Sequence, residues 1–466
     1  MRALIKIWAL VLCACLLVLL SGCSREPEAT TVTTTGPTEP QMTAEEKYLL
    51  GRESIDQAGN WILSYTVDEK RTVGQDVYSR TVSGKASFSK LHQTDMIAVV
   101  EEERTYGSFA CSYAEVYCDG QAYVQAIGSR FKNTMEPEVF IDRQLPAILL
   151  DSGLYQTLTQ EVKENSTVIT FKDAKAMEAW LGAEDGQIIS ASGTATLDST
   201  GLLQETTYQV VYMLGQTRYE YSATVRVSAP KTLDLGGTHH EHIKGSVALE
   251  NLDVPQMLLQ VVGDVYASGQ IRCEAKETIY SEAIPMSHTQ SSTYTISGFG
   301  EELNAQAKHE TTLSDYRGEI TSESWSEYFR NGRYSTSKNG AGIVSATAEQ
   351  VRQYMEDAIL SALMAPIFVR NGSVQKDANY YRLEMTGNRQ YIVAMMENIG
   401  GFLQVDLDNQ ATQSNTLSAG GYLTIHKETG LPVSMGLYLE REHTINDIPY
   451  RLTYQLDHTL ELSGTK

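Results

Sequence analysis

Positive charge is what this sequence has least of. Its 37 lysines and arginines face 58 aspartates and glutamates, for a net charge of −21. Loss of the first 22 residues would remove Arg2 and Lys6 and leave −23 (−21 minus 2). A polyanion of that size is repelled by phosphate backbones and by bare anionic lipid, so nucleic acid is excluded as a partner. Cysteine is scarce too: six in 466 residues, at positions 13, 15, 23, 111, 118 and 273. No CxxC pair exists to bind a metal or cycle a disulfide. Cys111 and Cys118 lie on one extended stretch at a spacing that puts them on opposite faces of a strand, which argues against a bridge between them. The nucleophile elbow, the P-loop, HExxH, the EF-hand loop and the dinucleotide fingerprint are all missing. The expectation is a protein without catalysis and without a cofactor.

One apolar run is present, and it is short. Ile7–Leu20 follows the basic start Met1-Arg2-Ala3-Leu4-Ile5-Lys6 and precedes Leu20-Ser21-Gly22-Cys23. As a helix it rises about 21 Å, too little to span a ~30 Å hydrocarbon core comfortably. The order basic, apolar, small residues, cysteine resembles the leader and lipobox of bacterial lipoproteins. That resemblance implies a signal peptide over 1–22, cleavage before Cys23, acylation of Cys23, and a protein held on the outer face of a membrane. Residues 23–43 are rich in Thr, Pro and Glu with almost nothing to bury, which reads as a disordered tether.

The rest of the chain reads as two related halves, 44–235 and 250–466, joined by a linker over 236–249. Val82-Ser83-Gly84 is matched by Ile296-Ser297-Gly298. Tyr117 and Tyr123 flank Asp119-Gly120 as Tyr328 and Tyr334 flank Asn331-Gly332, a strong hairpin signal in each half. The stretch 168–171 leads into a helix-like 174–181, as 381–385 leads into 390–398. Thr200-Gly201-Leu202 is matched by Thr429-Gly430-Leu431, each followed by a long strand-like tail. The anchors keep their order while their offsets drift, as an old duplication with loop insertions does.

Helices are few. Thr43–Ala58 opens the first half, with Tyr48, Leu49 and Ile55 as its apolar pattern. Val254–Ala267 opens the second, with Met257, Leu258, Val261, Val262 and Val265. The clearest covers Ala348–Met364, with a wide apolar stripe and a Thr347/Gln350 capping box. Its counterpart is a broken helical stretch over 141–158, interrupted by Pro146 and Gly153. Nearly everything else alternates apolar and polar residues, the mark of antiparallel strand.

This order resembles the half-barrel fold of the LolA/LppX superfamily of bacterial lipoprotein carriers. The residues that carry the likeness are the T-G-L turns of Thr200–Leu202 and Thr429–Leu431, with Pro432 completing T-G-L-P in the second copy, and the strands before them. Leu203 departs from the pattern, standing where proline would be expected. The resemblance implies an α+β protein of two tandem, strongly curved antiparallel half-barrels, each with helices on its concave face around an apolar cavity.

The expected function is binding of a lipid or another apolar ligand beside the membrane, with Val351, Tyr354, Met355, Ile359 and Leu363 as the candidate ligand-binding stripe. The competing expectation is a structural or regulatory partner of an envelope protein, its half-barrels filled by their own side chains. The cluster His239-His240-Glu241-His242 offers three imidazoles to a borderline metal, but it sits outside both halves, and no metal is assigned. The run Glu101-Glu102-Glu103 reads as a solvated face, and Cys111, Cys118 and Cys273 as inert core thiols.

Overall fold

The computed structural model describes residues 42–466, apart from 127, 149–154, 175–185, 238, 282–285, 299–301, 339–342, 361–368, 388–412 and 465–466. The leader, Cys23 and the tether therefore lie outside the described residues, as do the helix-like stretches 175–181 and 390–398. Residues 43–466 form one compact unit.

The chain is mostly strand. It opens on α1 (Ala44–Ala58), then β1 (Asn60–Val73), β2 (Asp76–Ser89), β3 (Ile97–Tyr106), β4 (Phe109–Cys118), β5 (Gln121–Ala126) and β6 (Ser129–Thr134). After α2 (Pro137–Ile148) come β7 (Tyr155–Lys163), β8 (Ser166–Ala174), β9 (Gly186–Asp198), β10 (Leu203–Leu214) and β11 (Thr217–Ser228). A short α3 (His240–Ile243) and β12 (Val247–Ala248) precede α4 (Asp253–Ala267). Then follow β13 (Gln270–Ser281), β14 (Met286–Ser297), β15 (Asn304–Ser314), β16 (Ile320–Arg330), β17 (Arg333–Thr336) and β18 (Ile343–Ser345). The last elements are α5 (Ala348–Leu360), β19 (Val369–Lys376), β20 (Tyr380–Gly387), β21 (Gln413–His426), β22 (Pro432–Ile445) and β23 (Ile448–Ser463).

These strands make two large curved sheets, neither closed into a barrel. The first runs β12-β6-β5-β4-β3-β2-β1-β11-β10-β9-β8-β7 and the second β18-β17-β16-β15-β14-β13-β23-β22-β21-β20-β19. Apart from β12, the only strand among the described residues that pairs in parallel, the two orders are the same. Each sheet also has a helix before its first strand and another between its sixth and seventh.

Most of the matched motifs fall at equivalent points of that order. Asp119-Gly120 joins β4 to β5 and Asn331-Gly332 joins β16 to β17, both with φ of 52° and then 71°. Two successive left-handed residues make the turn whose twist matches a hairpin, and Asp or Asn before Gly tolerates it best. The two T-G-L turns join β9 to β10 and β21 to β22. The V-S-G pair does not correspond. Gly84 lies inside β2 under the Tyr65 ring, which a Cβ there would approach within 2.5 Å, whereas Gly298 lies past the end of β14 with φ of +69°.

The helix ends follow their local chemistry. Thr43 caps α1, its hydroxyl accepting from the Glu46 N–H while Glu46 accepts from the Thr43 N–H. Thr347 and Gln350 close the same reciprocal box on α5. The helical stretch placed over 141–158 begins earlier, at Pro137, and residues 155–158 belong to β7. Proline at the first helical position needs no N–H partner and so starts α2 cleanly.

Packing separates the two helix-opened halves less than their sequences do. On α1, Tyr48 and Ile55 are buried against β1, β7, β9 and β10, whereas Leu49 is exposed. The second half's own opening helix, α4, packs on β2, β3, β4 and β5 of the first sheet. The stretch read as a linker holds α3 and β12. Its Ile243, with Leu233 and Leu235 just before it, covers Val99, Val116 and Cys118 on the outer face of the first sheet. One continuous apolar core then runs from Trp61 and Phe88 through Leu258 and Leu259 to Ile271, Leu383 and Met435.

Candidate ligand-binding face

The α5 stripe divides into a buried part and a rim. Val351 and Ile359 are 3% and 2% exposed and belong to the shared core. Tyr354 is 41% exposed, and its hydroxyl donates to Glu327 Oε2 at 2.8 Å. The Met355 side chain and Leu363 lie outside the described residues. The structure therefore buries Val351 and Ile359 in the shared core and ties Tyr354 to the second sheet through Glu327.

Glu327 is the link that the sequence did not reveal. Trp325 and Glu327 alternate inward along β16, and register sets Trp325 opposite His309 on β15, which in turn lies opposite Ser292 on β14. His309 Nδ1 lies 2.8 Å from Ser292 Oγ, and His309 Nε2 lies 3.4 Å from Glu327 Oε2. Trp325 stacks on the imidazole with centroids 4.7 Å apart, and Lys338 Nζ stands 4.2 Å from the Trp325 ring centre. Burial opposes ionisation of Glu327, but hydrogen bonds from His309, Tyr354 and Tyr334 outweigh it and hold the carboxylate below its ordinary range. Burial, with the same carboxylate beside it, pushes Tyr334 up to about 12 and Tyr354 higher still. Ser292 is buried and also takes a hydrogen bond from Gln290 Nε2 at 3.3 Å. This chain can hold α5 to the sheet through an ionised carboxylate, and it ties that hold to acidity. Only the register of three strands brings Ser292, His309 and Glu327 together; in sequence they are isolated polar residues on alternating strands.

The first sheet's inner face is filled differently. Glu102 accepts from the Tyr65 hydroxyl at 2.6 Å and pairs with Arg104, whose guanidinium lies over the Tyr113 ring. Glu115 is bound by Tyr113, Arg143 and Gln144. The middle residue of the acidic run is thus a half-buried ion-pair partner, correcting the reading of a uniformly solvated face. Strand alternation turns Glu102 inward, while Glu101 and Glu103 point out. Nearer the β1–β2 turn, Arg71 Nη2 donates to Asp264 Oδ1 of α4 at 2.6 Å, and Arg80 donates to Gln260 Oε1 and Glu69.

The histidine cluster lies on α3 against the outer face of the first sheet. His242 Nδ1 stands 3.2 Å from Gln125 Oε1 and its Nε2 3.3 Å from Glu101 Oε1, while His239 Nδ1 faces the Leu235 carbonyl. Among the described residues no three His, Cys, Asp or Glu side chains are grouped to hold a metal ion. The three core cysteines are unbridged, and burial raises Cys111 and Cys118 to about 11 and Cys273 to about 12. Thiols so far above neutral pH are poor nucleophiles.

Open clefts among the described residues include one of about 500 Å³, lined largely by threonines and serines, on the outer face of the first sheet. Thr66, Thr224, Thr207, Thr194 and Thr170 stand in one row there on neighbouring strands, with Thr194 and Thr207 hydroxyls 2.7 Å apart. Cross-strand hydroxyl pairs of this kind stabilise a sheet.

No protein-family model matches the sequence, and no protein of curated function matches it. Among solved structures, LprF from Mycobacterium bovis is 14% identical across 46% of this chain and 95% of its own, with a TM-score of 0.26. A putative AttH from Nitrosomonas europaea is 7% identical across 85% and 92%, with a TM-score of 0.13. The outer membrane protein OpdK of Pseudomonas aeruginosa is 5% identical across 86% and 98%, with a TM-score of 0.11. Scores this low carry no argument about fold or function, which rest on the strand order and the residues described above.

Proposed function

We propose that this protein is an extracytoplasmic lipoprotein, anchored by acylated Cys23, whose two sheets are half-barrels descended from one duplicated ancestor. Its second half binds a lipid or other apolar ligand without catalysis, under α5. The observation that carries this reading is the arrangement of that helix: Val351 and Ile359 turned into the apolar core, with Tyr354 at the rim bound to an ionised Glu327. An apolar interior with a few placed polar groups at its mouth is how small-molecule sites combine affinity with orientation. The leader and Leu-Ser-Gly-Cys support a site beside lipid, and the shared strand order supports the duplication.

A second reading has an observation of its own. The inner face of the first sheet is filled by Trp61, Phe88, Tyr117 and Phe131, by its own ion pairs and by α4. A face so filled suits a scaffold or an envelope-protein partner, and we assign that role to the first half.

Native mass spectrometry with lipid extraction tests both. The protein is expressed in bacteria with its leader removed and Cys23→Ser, so that any lipid found is not the anchor. A stoichiometric adduct that extracts into organic solvent, weakened in Val351→Asp, supports the ligand site. A clean apo mass, with a thermal transition unmoved by added phospholipid, would sink it and leave the partner reading.

A further inference from the structure

The two sheets share one topology, yet their equivalent ends meet different surroundings. In the first sheet, the end that carries the β1–β2, β3–β4 and β10–β11 turns is covered by the second half. Gly107, in the β3–β4 turn, lies so close to α4 that a Cβ there would stand 3.1 Å from the Ala267 Cα. The Tyr78 hydroxyl donates to the Leu462 carbonyl at 3.0 Å, and the Gln216 N–H donates to the Glu428 carboxylate. In the second sheet the matching turns are β13–β14, β15–β16 and β22–β23. Around them stand Tyr280, Tyr316, Ile320 and Ile448, all exposed, Ile320 at 69%.

The converse holds for the opening helices. Counted back from the strand that follows each, Asn60 for α1 and Gln270 for α4, the offset is 210 (270 minus 60). Tyr48 and Ile55 then correspond to Leu258 and Val265, buried in both copies. Leu49, Leu50 and Ser54 correspond to Leu259, Gln260 and Asp264. In α4, Leu259 is fully buried, Gln260 binds Arg80 and Asp264 binds Arg71. In α1, Leu49 and Leu50 are both exposed, Leu49 at 49%. The apolar position that Leu259 fills in that seat is therefore held on α1 by an exposed leucine, and Leu50 and Ser54 stand where α4 carries its anchors Gln260 and Asp264.

We infer that chains associate head to tail: the Tyr316, Ile320 and Ile448 end of one second sheet seats the Leu49–Leu50 face of the next chain's α1. The interface inside each chain is the template for the one between chains. Such a contact is heterologous, using two different patches, so it propagates rather than closing at a dimer. A mature charge near −23 on every copy opposes it, so association strengthens as salt screens the repulsion.

Sedimentation velocity on the mature chain with Cys23→Ser, from low micromolar to submillimolar protein, tests this. The expected result is a mass that climbs with concentration and salt without stopping at a dimer. L49E/L50E and I320E/I448E each stay monomeric alone. Mixed in equal amounts they form a species of dimer mass, since each retains the patch that the other lacks. Leu49→Ser with Leu50→Ser repeats the block should the glutamates disturb the fold. A wild-type chain that is monomeric throughout overturns the inference. So does a closed dimer with no complementation between the two blocked variants. Binding of a monomeric chain to phosphatidylcholine vesicles that I320E/I448E abolishes also overturns it, and assigns the exposed end to a lipid surface.

Discussion

The first sheet and the second have the same strand order and differ in what lies on them. The inner face of the first carries two partly buried ion-pair groups and takes α4 from the other half, with Asp264, Gln260 and Asp253 fixed by Arg71, Arg80 and Arg143. The second carries the Ser292–His309–Glu327 chain under its own α5. The two sheets share one strand order. Buried charge on one copy and its partner on the other then made them a single unit, because an unpaired charge in a core is far more costly than a paired one.

That comparison breaks most sharply at Asp264. Asp264→Ala leaves Arg71 buried without its carboxylate, and the expected loss is about 3–5 kcal/mol. Urea unfolding should shift as one transition by both strand circular dichroism and tryptophan fluorescence, with Trp61 on the first sheet and Trp325 on the second. A wild-type chain that unfolds in two separate steps would show the halves to be independent.

Gly263→Ala probes the same contact by size. A Cβ there would come within 2.3 Å of the Tyr106 ring, so α4 or the ring must shift. Overpacking of this kind costs about 1–3 kcal/mol, read from the urea midpoint. A neutral outcome would mean that α4 is seated more loosely than the packing shows.

Matched turns should respond alike. Gly120→Ala and Gly332→Ala each force a side chain into φ of +71°, at a cost of about 1 kcal/mol apiece. Equal shifts in midpoint would sharpen the equivalence of the hairpins; a large difference would limit it to strand order.

The smallest effect is on acidity. Glu327 is held below its ordinary range, so the stability it contributes is full above its unfolded pKa of roughly 4.3 and is lost as pH falls through the lower folded value. Glu327→Gln should therefore cost most at neutral pH and least in strong acid, with Tyr354→Phe following the same trend more weakly. Melting temperatures measured across that range check it, and a pH-independent cost would remove Glu327 from its role in holding α5.

Much of the architecture was legible in local chemistry. Thr347 with Gln350 announced one helix start, and Asp119-Gly120 and Asn331-Gly332 announced two hairpins, because caps and left-handed turns depend on neighbours in sequence. The opposite facing of Cys111 and Cys118 followed from the two-residue period of a strand. The same period could have singled out Glu102 from its flanking glutamates had it been applied to the acidic run. The V-S-G match failed because three small residues recur in any Ser/Thr-rich strand. Ser292, His309 and Glu327 gave no local signal at all.

By itself, then, the sequence determined the strand and helix repertoire, the turn chemistry and the repeated order, all set by short-range backbone preferences and side-chain periodicity. Tertiary structure decided which copy's helix covers which sheet, which glutamate is buried, and which apolar residues stay bare. Those depend on contacts between residues far apart in the chain, such as Arg71 with Asp264, where the burial of one group is defined only by the arrival of the other.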